Sequence, residues 1–358
     1  MAIASKFDMG SARCAVVIVL FAILLVFPRL CRAHETLKVG VIIPLSGALA
    51  HMGESVRNGF TLWKERNPSS DLEFLFEDDQ FQPRHSASAA QKLISVNKVA
   101  ALVTFTSGPG MAVAPIAEKN RVIHFCFTVD SRLAEGRYNF VHLFQSRDAA
   151  ARLLKKIEAE GIKRIGIMRF IEDAAQLSAS EVIKQAPDYG VEVLFDQAFP
   201  GGTTDFRSLI TSASAKKAEM VVIIALPPEL ELLAKQMKEL HFAARLTSIE
   251  IFSLSTQPRL FEGLWYAQPA FPDQEYAAAY KKRFGSDFAW GHYADNIASL
   301  LQAANESEHG ARLLVEGLES LSGIKSTVGP LSADPEGVFA VPVVIAVMKE
   351  GKPVLFED

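Results

Sequence analysis

Between residues 37 and 127, four short and nearly continuous apolar runs, 37–43, 72–76, 100–105 and 122–127, alternate with three stretches of different pattern, 54–66, 85–96 and 111–120. In these, apolar side chains return every three or four positions. A run without polar alternation reads as a strand covered on both faces, and a 3.6-residue period reads as a helix with one buried stripe. Strands joined through helices lie parallel, so this stretch predicts a parallel sheet wrapped by helices. After a polar passage near Arg147 the alternation resumes with helix 149–159, strand 164–169, helix 174–185, strand 191–195, helix 206–215, strand 220–225 and helix 228–240. The expected fold class is α/β with two doubly wound parallel sheets. Helical patterns at 273–284 and 293–305 and a β-rich tail at 341–356, turning at Glu350-Gly351-Lys352, complete the chain. A length of 358 residues suits two domains at roughly 100–200 residues each.

Residues 1–33 stand apart from this pattern. Lys6 and Arg13 precede an apolar run, 15–27, that ends at Pro28, and Cys31-Arg32-Ala33 places small residues at the two positions a signal peptidase reads. The run is shorter than the ~20 residues of a membrane-crossing helix, so the segment is expected to be a leader cleaved after Ala33 rather than an anchor. Pro28, Arg29 and Leu30 also lack the small apolar character of a lipid-attachment site at Cys31. Cleavage would remove Lys6, Arg13, Arg29, Arg32 and Asp8 from 37 basic and 41 acidic residues, leaving 33 against 40 and a net charge of −7. That balance argues against a nucleic-acid partner. Cys14 and Cys31 leave with the leader, so Cys126 stands alone and no intramolecular disulfide is expected.

In open α/β sheets, ligands gather beyond the carboxyl ends of the strands, which directs attention to the loops there. These are Pro44-Leu45-Ser46-Gly47 with Gly53, then Thr106-Ser107-Gly108-Pro109-Gly110, then 128–131, and finally Glu250. None brings an enzyme's signature. No two of the eight histidines lie closer than 17 positions, there is no Gly-x-Ser-x-Gly or phosphate-binding loop, and Gly108-Pro109-Gly110 lacks the third glycine of a dinucleotide fingerprint. Glu77-Asp78-Asp79 could be read as a Mg²⁺ site, but hard cations of that kind share their ligands with substrate phosphates, and a solvated strand end is the simpler reading. No cofactor or metal is expected, and no enzymatic activity.

The loops, taken in order, resemble the type I periplasmic binding proteins, specifically the branched-chain amino acid (Leu/Ile/Val) receptors of ABC transporters. The resemblance runs through Val39-Gly40-Val41-Ile42-Ile43-Pro44-Leu45-Ser46-Gly47 with Gly53 and Asn58-Gly59, Glu77-Asp78-Asp79-Gln80 with Pro83, and Ala112-Val113-Ala114-Pro115-Ile116-Ala117-Glu118. It continues at Pro200-Gly201-Gly202-Thr203-Thr204-Asp205-Phe206, Ala279-Tyr280-Lys281-Lys282-Arg283-Phe284-Gly285 and Tyr293-Ala294-Asp295.

The resemblance implies two lobes joined by a hinge that the chain crosses three times. Lobe 1 would comprise 34–143 and 269–326, and lobe 2 would comprise 144–268 and 327–358, closing on a ligand held between them. It places Ser107, with Gly108 beside it, where the family holds a ligand carboxylate, and Glu250 where the family pairs an acid with an α-ammonium. Met52, Ala175 and Leu226 fall where the family often carries rings or tyrosine hydroxyls, Thr128 and Asp130 lie in an altered turn, and Phe288 aligns with a pocket aromatic. Fewer rings and hydroxyls predict a roomier, greasier pocket, and Asp130, facing it, would repel a carboxylate. The implied function is periplasmic capture of a small amino-acid-like or amide ligand for delivery to a membrane permease. A ligand-sensing regulator on the same fold is the alternative, and an exported α/β enzyme a more distant one.

Overall fold

The computed structural model describes residues 36–47, 49–286, 290–307 and 314–357. Their elements fall within one compact unit, Leu37–Asp358. The first sheet is built from β1 (Leu37–Ile43), α1 (Ala50–Arg66), β2 (Leu72–Asp78), α2 (Pro83–Lys92), β3 (Ala101–Phe105), α3 (Ser107–Asn120), β4 (Ile123–Phe127) and β5 (Asn139–Val141). Its strand order is β2-β1-β3-β4-β5, parallel throughout. Every residue of β3, β4 and β5 is buried, as expected of strands with helices on both faces.

The second sheet follows from α4 (Ser146–Ala159), β6 (Arg164–Phe170), α5 (Asp173–Gln185), β7 (Glu192–Phe199), α6 (Arg207–Ala215), β8 (Met220–Ile224), α7 (Glu229–Glu239) and β9 (Arg245–Ser248). Its order is β7-β6-β8-β9, again parallel. The chain then forms β10 (Trp265–Pro269), α8 (Gln274–Phe284), α9 (Gly291–Glu306), α10 (Leu314–Glu319), a hairpin of β11 (Ile324–Ser326) and β12 (Gly329–Leu331), and finally β13 (Val343–Lys349) and β14 (Lys352–Leu355). Strands β10, β13 and β14 make an antiparallel sheet joined to the end of β9 by an Ile249–Ala267 bridge. Helices α8 and α9 return to pack on α1.

Side chains tie the segment that follows β5 to the one that precedes β13. His142, just after β5, donates from Nδ1 to the Phe339 carbonyl at 2.8 Å, which leaves Nε2 to accept from Asn296 Nδ2 at 3.2 Å. Asn296 Oδ1 in turn accepts from the Thr327 N–H and hydroxyl, both at 2.9 Å. A neutral imidazole uses both its nitrogens here. Burial holds the His142 pKa down at about 4.

Two expectations are corrected. The Gly108-Pro109-Gly110 stretch is the first turn of α3 rather than a loop before it, because a proline near a helix start sacrifices an N–H that has no intrahelical partner anyway. In the acidic cluster Asp78 is solvent-exposed as expected of a strand end, but Asp79 is not. Asp78 accepts from Leu45 N (2.9 Å) and Ser46 Oγ (2.6 Å), while the fully buried Asp79 accepts from Ser86 Oγ (2.8 Å) and Phe81 N (2.9 Å). These bonds pin the two loops that follow β1 and β2.

Candidate ligand-binding cleft

The strand order reverses between β1 and β3 in one sheet and between β6 and β8 in the other, and the segments that follow these strands converge on one cavity. Leu49 and Met52 follow β1, Phe81 follows β2, Thr106 and Ser107 follow β3, and Thr128 and Val129 follow β4. From the second sheet come Glu172, Ala174, Ala175 and Ser178 after β6, Ala225 and Leu226 after β8, and Glu250 and Ile251 after β9. The cavity has an empty volume of about 720 Å³ counting its open mouth.

The lining is mostly apolar, with Phe81, Phe105, Phe127, Phe144, Phe170 and Trp290 contributing rings. Trp290 packs on Phe105 with centroids 4.9 Å apart and on Tyr293 at 5.5 Å. The polar groups form two clusters. On the first-sheet side, Ser107 Oγ and Thr128 Oγ1 lie 2.7 Å apart and Thr128 Oγ1 also accepts from Asp130 N at 3.2 Å. Thr106 Oγ1 is buried without a hydrogen-bond partner, and the first turn of α3 brings N–H groups that its own helix leaves unpaired. That is an anion-accepting corner.

On the second-sheet side are two carboxyls of different status. Glu172 caps α5, accepting from Ala174 N (2.8 Å) and Ala175 N (3.2 Å), although burial still raises its pKa. The Glu250 carboxyl meets no hydrogen-bond donor among the described residues, and burial alone pushes its pKa up to about 8. No Lys, Arg or His lines the cavity among the described residues, so its titratable groups are carboxyls.

Of the ten positive-φ residues other than glycine among those described, four line the cavity: Phe81 (60°), Thr106 (66°), Glu250 (64°) and Trp290 (136°). Left-handed backbone costs L-residues on the order of 1–3 kcal/mol each and concentrates where surrounding structure enforces a functional pose. For a β-branched residue such as Thr106 it is a genuine outlier.

Of the residues singled out from sequence, Met52, Ser107, Thr128, Ala175, Leu226 and Glu250 line this one cavity. Gly108 adjoins Ser107 but is not part of the lining. Asp130 is turned away onto Arg132, which it engages at 2.9 Å (Nε) and 2.7 Å (Nη2), so its charge is already compensated. Phe288 lies outside the described residues. Positions 52, 175 and 226 bring no rings, and the cavity's aromatic surface comes from Trp290 and from phenylalanines elsewhere. Sequence reading named Thr106 only as part of its loop and missed Glu172 and Trp290. Glu172 sits two residues beyond the end of β6 and was accessible to the same rule that found Ser107.

A sequence profile described as periplasmic binding protein matches residues 36–352. The chain belongs to the periplasmic binding protein family. The Leu/Ile/Val-binding protein BraC3 of Rhizobium johnstonii is 28% identical over 229 residues, a stretch that spans 61% of this chain and 61% of that relative. In shape, this periplasmic binding protein is similar to a leucine-binding protein of Thermotoga maritima, with TM-score 0.83 and 21% identity over 90% of this chain and 98% of the other. It is also similar to an ABC-transporter solute-binding protein from R. palustris in complex with benzoate, with TM-score 0.82 and 18% identity over 90% and 96% of the two chains. The fold is thus that of the type I, branched-chain amino acid group. Family and neighbours are solute-binding proteins, and membership implies an exported, periplasmic protein. Among the described residues no group of three or more His, Cys, Asp or Glu is placed to hold a metal ion.

Proposed function

We propose that this protein is the periplasmic solute receptor of an ABC transporter, released by cleavage after Ala33, which captures a small, apolar, amino-acid-like or amide ligand and presents it to a membrane permease. The lobes are 34–143 with 269–326, and 144–268 with 327–358, and they close on the ligand. The observation that carries the reading is Glu250: a buried carboxyl with no protein partner, in the same apolar cavity as the donor-rich start of α3. An uncompensated group of this kind is matched by a ligand ammonium or amide N–H, while Ser107 and the α3 N–H groups match a carboxylate or carbonyl at the other end. The phenylalanine rings take the apolar body. The structurally similar leucine-binding protein and benzoate complex take small ligands of the same apolar character.

The test is thermal unfolding of the secreted protein with leucine, isoleucine, valine, phenylalanine and their amides. A ligand at a hundredfold excess over Kd adds about 2.7 kcal/mol, a rise in Tm of several degrees, without turnover. If none of these compounds shifts Tm, the ligand class is wrong.

A further inference from the structure

A second cavity lies against the first and shares Glu250, Leu254 and Trp290 with it as a common wall. It is lined beyond that wall by residues including Pro269, Phe271, Ala277 and Met348, and has an empty volume of about 1240 Å³ counting its open mouth. Two of the wall residues carry polar groups without protein partners. Trp290 is 95% buried (5% exposed) and its Nε1 donor is unpaired, while the Glu250 carboxylate has no donor. A buried unpaired donor and an unpaired acceptor on two residues of the same wall match one amide group, its C=O accepting from the indole N–H once a small shift of the ring uncovers it and its N–H donating to the carboxylate. A lone α-ammonium offers Glu250 donors but gives Trp290 nothing to donate to.

We infer that the ligand passes this wall: the protein takes an N-acylated apolar amino acid, of which a dipeptide is the simplest form. Its apolar residue lies in the phenylalanine-lined cavity, its amide lies between Trp290 and Glu250, and its N-terminal portion occupies the second cavity. This inference rests on the amino-acid-like reading above and extends it beyond a single residue.

Calorimetry with leucine, alanyl-leucine and N-acetyl-leucine separates the cases. The wild-type protein is expected to bind at least one of the two amide-linked compounds at least tenfold tighter than leucine. Ala277→Trp, which fills the second cavity, should weaken the amide-linked compound at least tenfold and leave leucine within about twofold. Trp290→Phe, which keeps a ring and removes the donor, should weaken the amide-linked compound about tenfold in protein whose circular dichroism is unchanged. Binding of leucine with equal or weaker binding of both amide-linked compounds overturns the second cavity's role and leaves the amino-acid reading standing. Amide-linked binding that both substitutions leave unaltered overturns the inference too. Binding of none of the three overturns both readings together.

Discussion

Glu250 is a carboxyl held in an apolar cleft on left-handed backbone, with burial raising its pKa to about 8. A group whose folded pKa lies above its unfolded value contributes stability that is intact at pH below about 4.5 and is lost as pH rises through about 8. Glu250→Gln removes that loss, so the ligand-free variant should gain on the order of a few kcal/mol over wild type at pH 8 and little at pH 4.5. Chemical denaturation across that range measures the difference, and a gain independent of pH would contradict the assignment. In binding, Glu250→Ala should weaken an ammonium-bearing ligand by roughly thirtyfold or more, since removing one partner of a desolvated charge pair costs about 2–5 kcal/mol. Ser107→Ala leaves the N–H groups of α3 in place and should cost about 1.5–3 kcal/mol. Calorimetry on the folded variants decides both. Ser107 was legible in the sequence because it follows a strand whose apolar run is plain; Glu250 follows the short and largely polar β9, and the family resemblance is what singled it out. Trp290 was not legible, because what distinguishes it is a positive φ, and no side-chain pattern announces left-handed backbone in a tryptophan.

At the scale of elements, the cleft depends on how closely α1 and α9 approach. A Cβ on Gly59 would lie 2.0 Å from the Gly291 carbonyl oxygen, so only glycine lets the two helix backbones meet there. Trp290 immediately precedes α9, and the crossing therefore sets where the indole stands in the cleft. Gly59→Ala should destabilise the protein by about 1–3 kcal/mol, the usual cost of overpacking, and weaken ligand binding along with it. Urea denaturation read against binding affinity checks the coupling; a stable variant with unaltered affinity would show that the crossing is slack. The alternating elements themselves were readable because buried strands and amphipathic helices leave different periods. The three-residue strands β5, β11 and β12 are too short to show any period, and the start of α3 was masked by glycines that usually mark loops. The charged 77–79 stretch misled for a related reason: acids are mostly exposed, and burial of Asp79 is made tolerable by Ser86 and Phe81 N–H, partners that only the fold brings within reach.

Across the whole molecule, the passages that follow β5 and precede β13 are tied by the neutral His142, hydrogen-bonded to Phe339 and Asn296. His124 is likewise buried, with Thr104 and Asn139 on its ring nitrogens, and its pKa is also lowered to about 4. Groups whose folded pKa is depressed contribute stability that is full above the unfolded value near 6.5 and is lost as pH falls through about 4. The ligand-free protein should therefore lose stability steeply below pH 6.5. His142→Gln should flatten that slope if the variant folds, and an unaltered slope would remove His142 from the account. The central claim is that two sheets, joined by these passages, close on a ligand between them. Small-angle X-ray scattering of the protein, without ligand and saturated with the tightest-binding compound from the thermal panel, tests it most directly. A smaller radius of gyration with ligand is the expected result, and an identical radius at demonstrated saturation would contradict capture by closure.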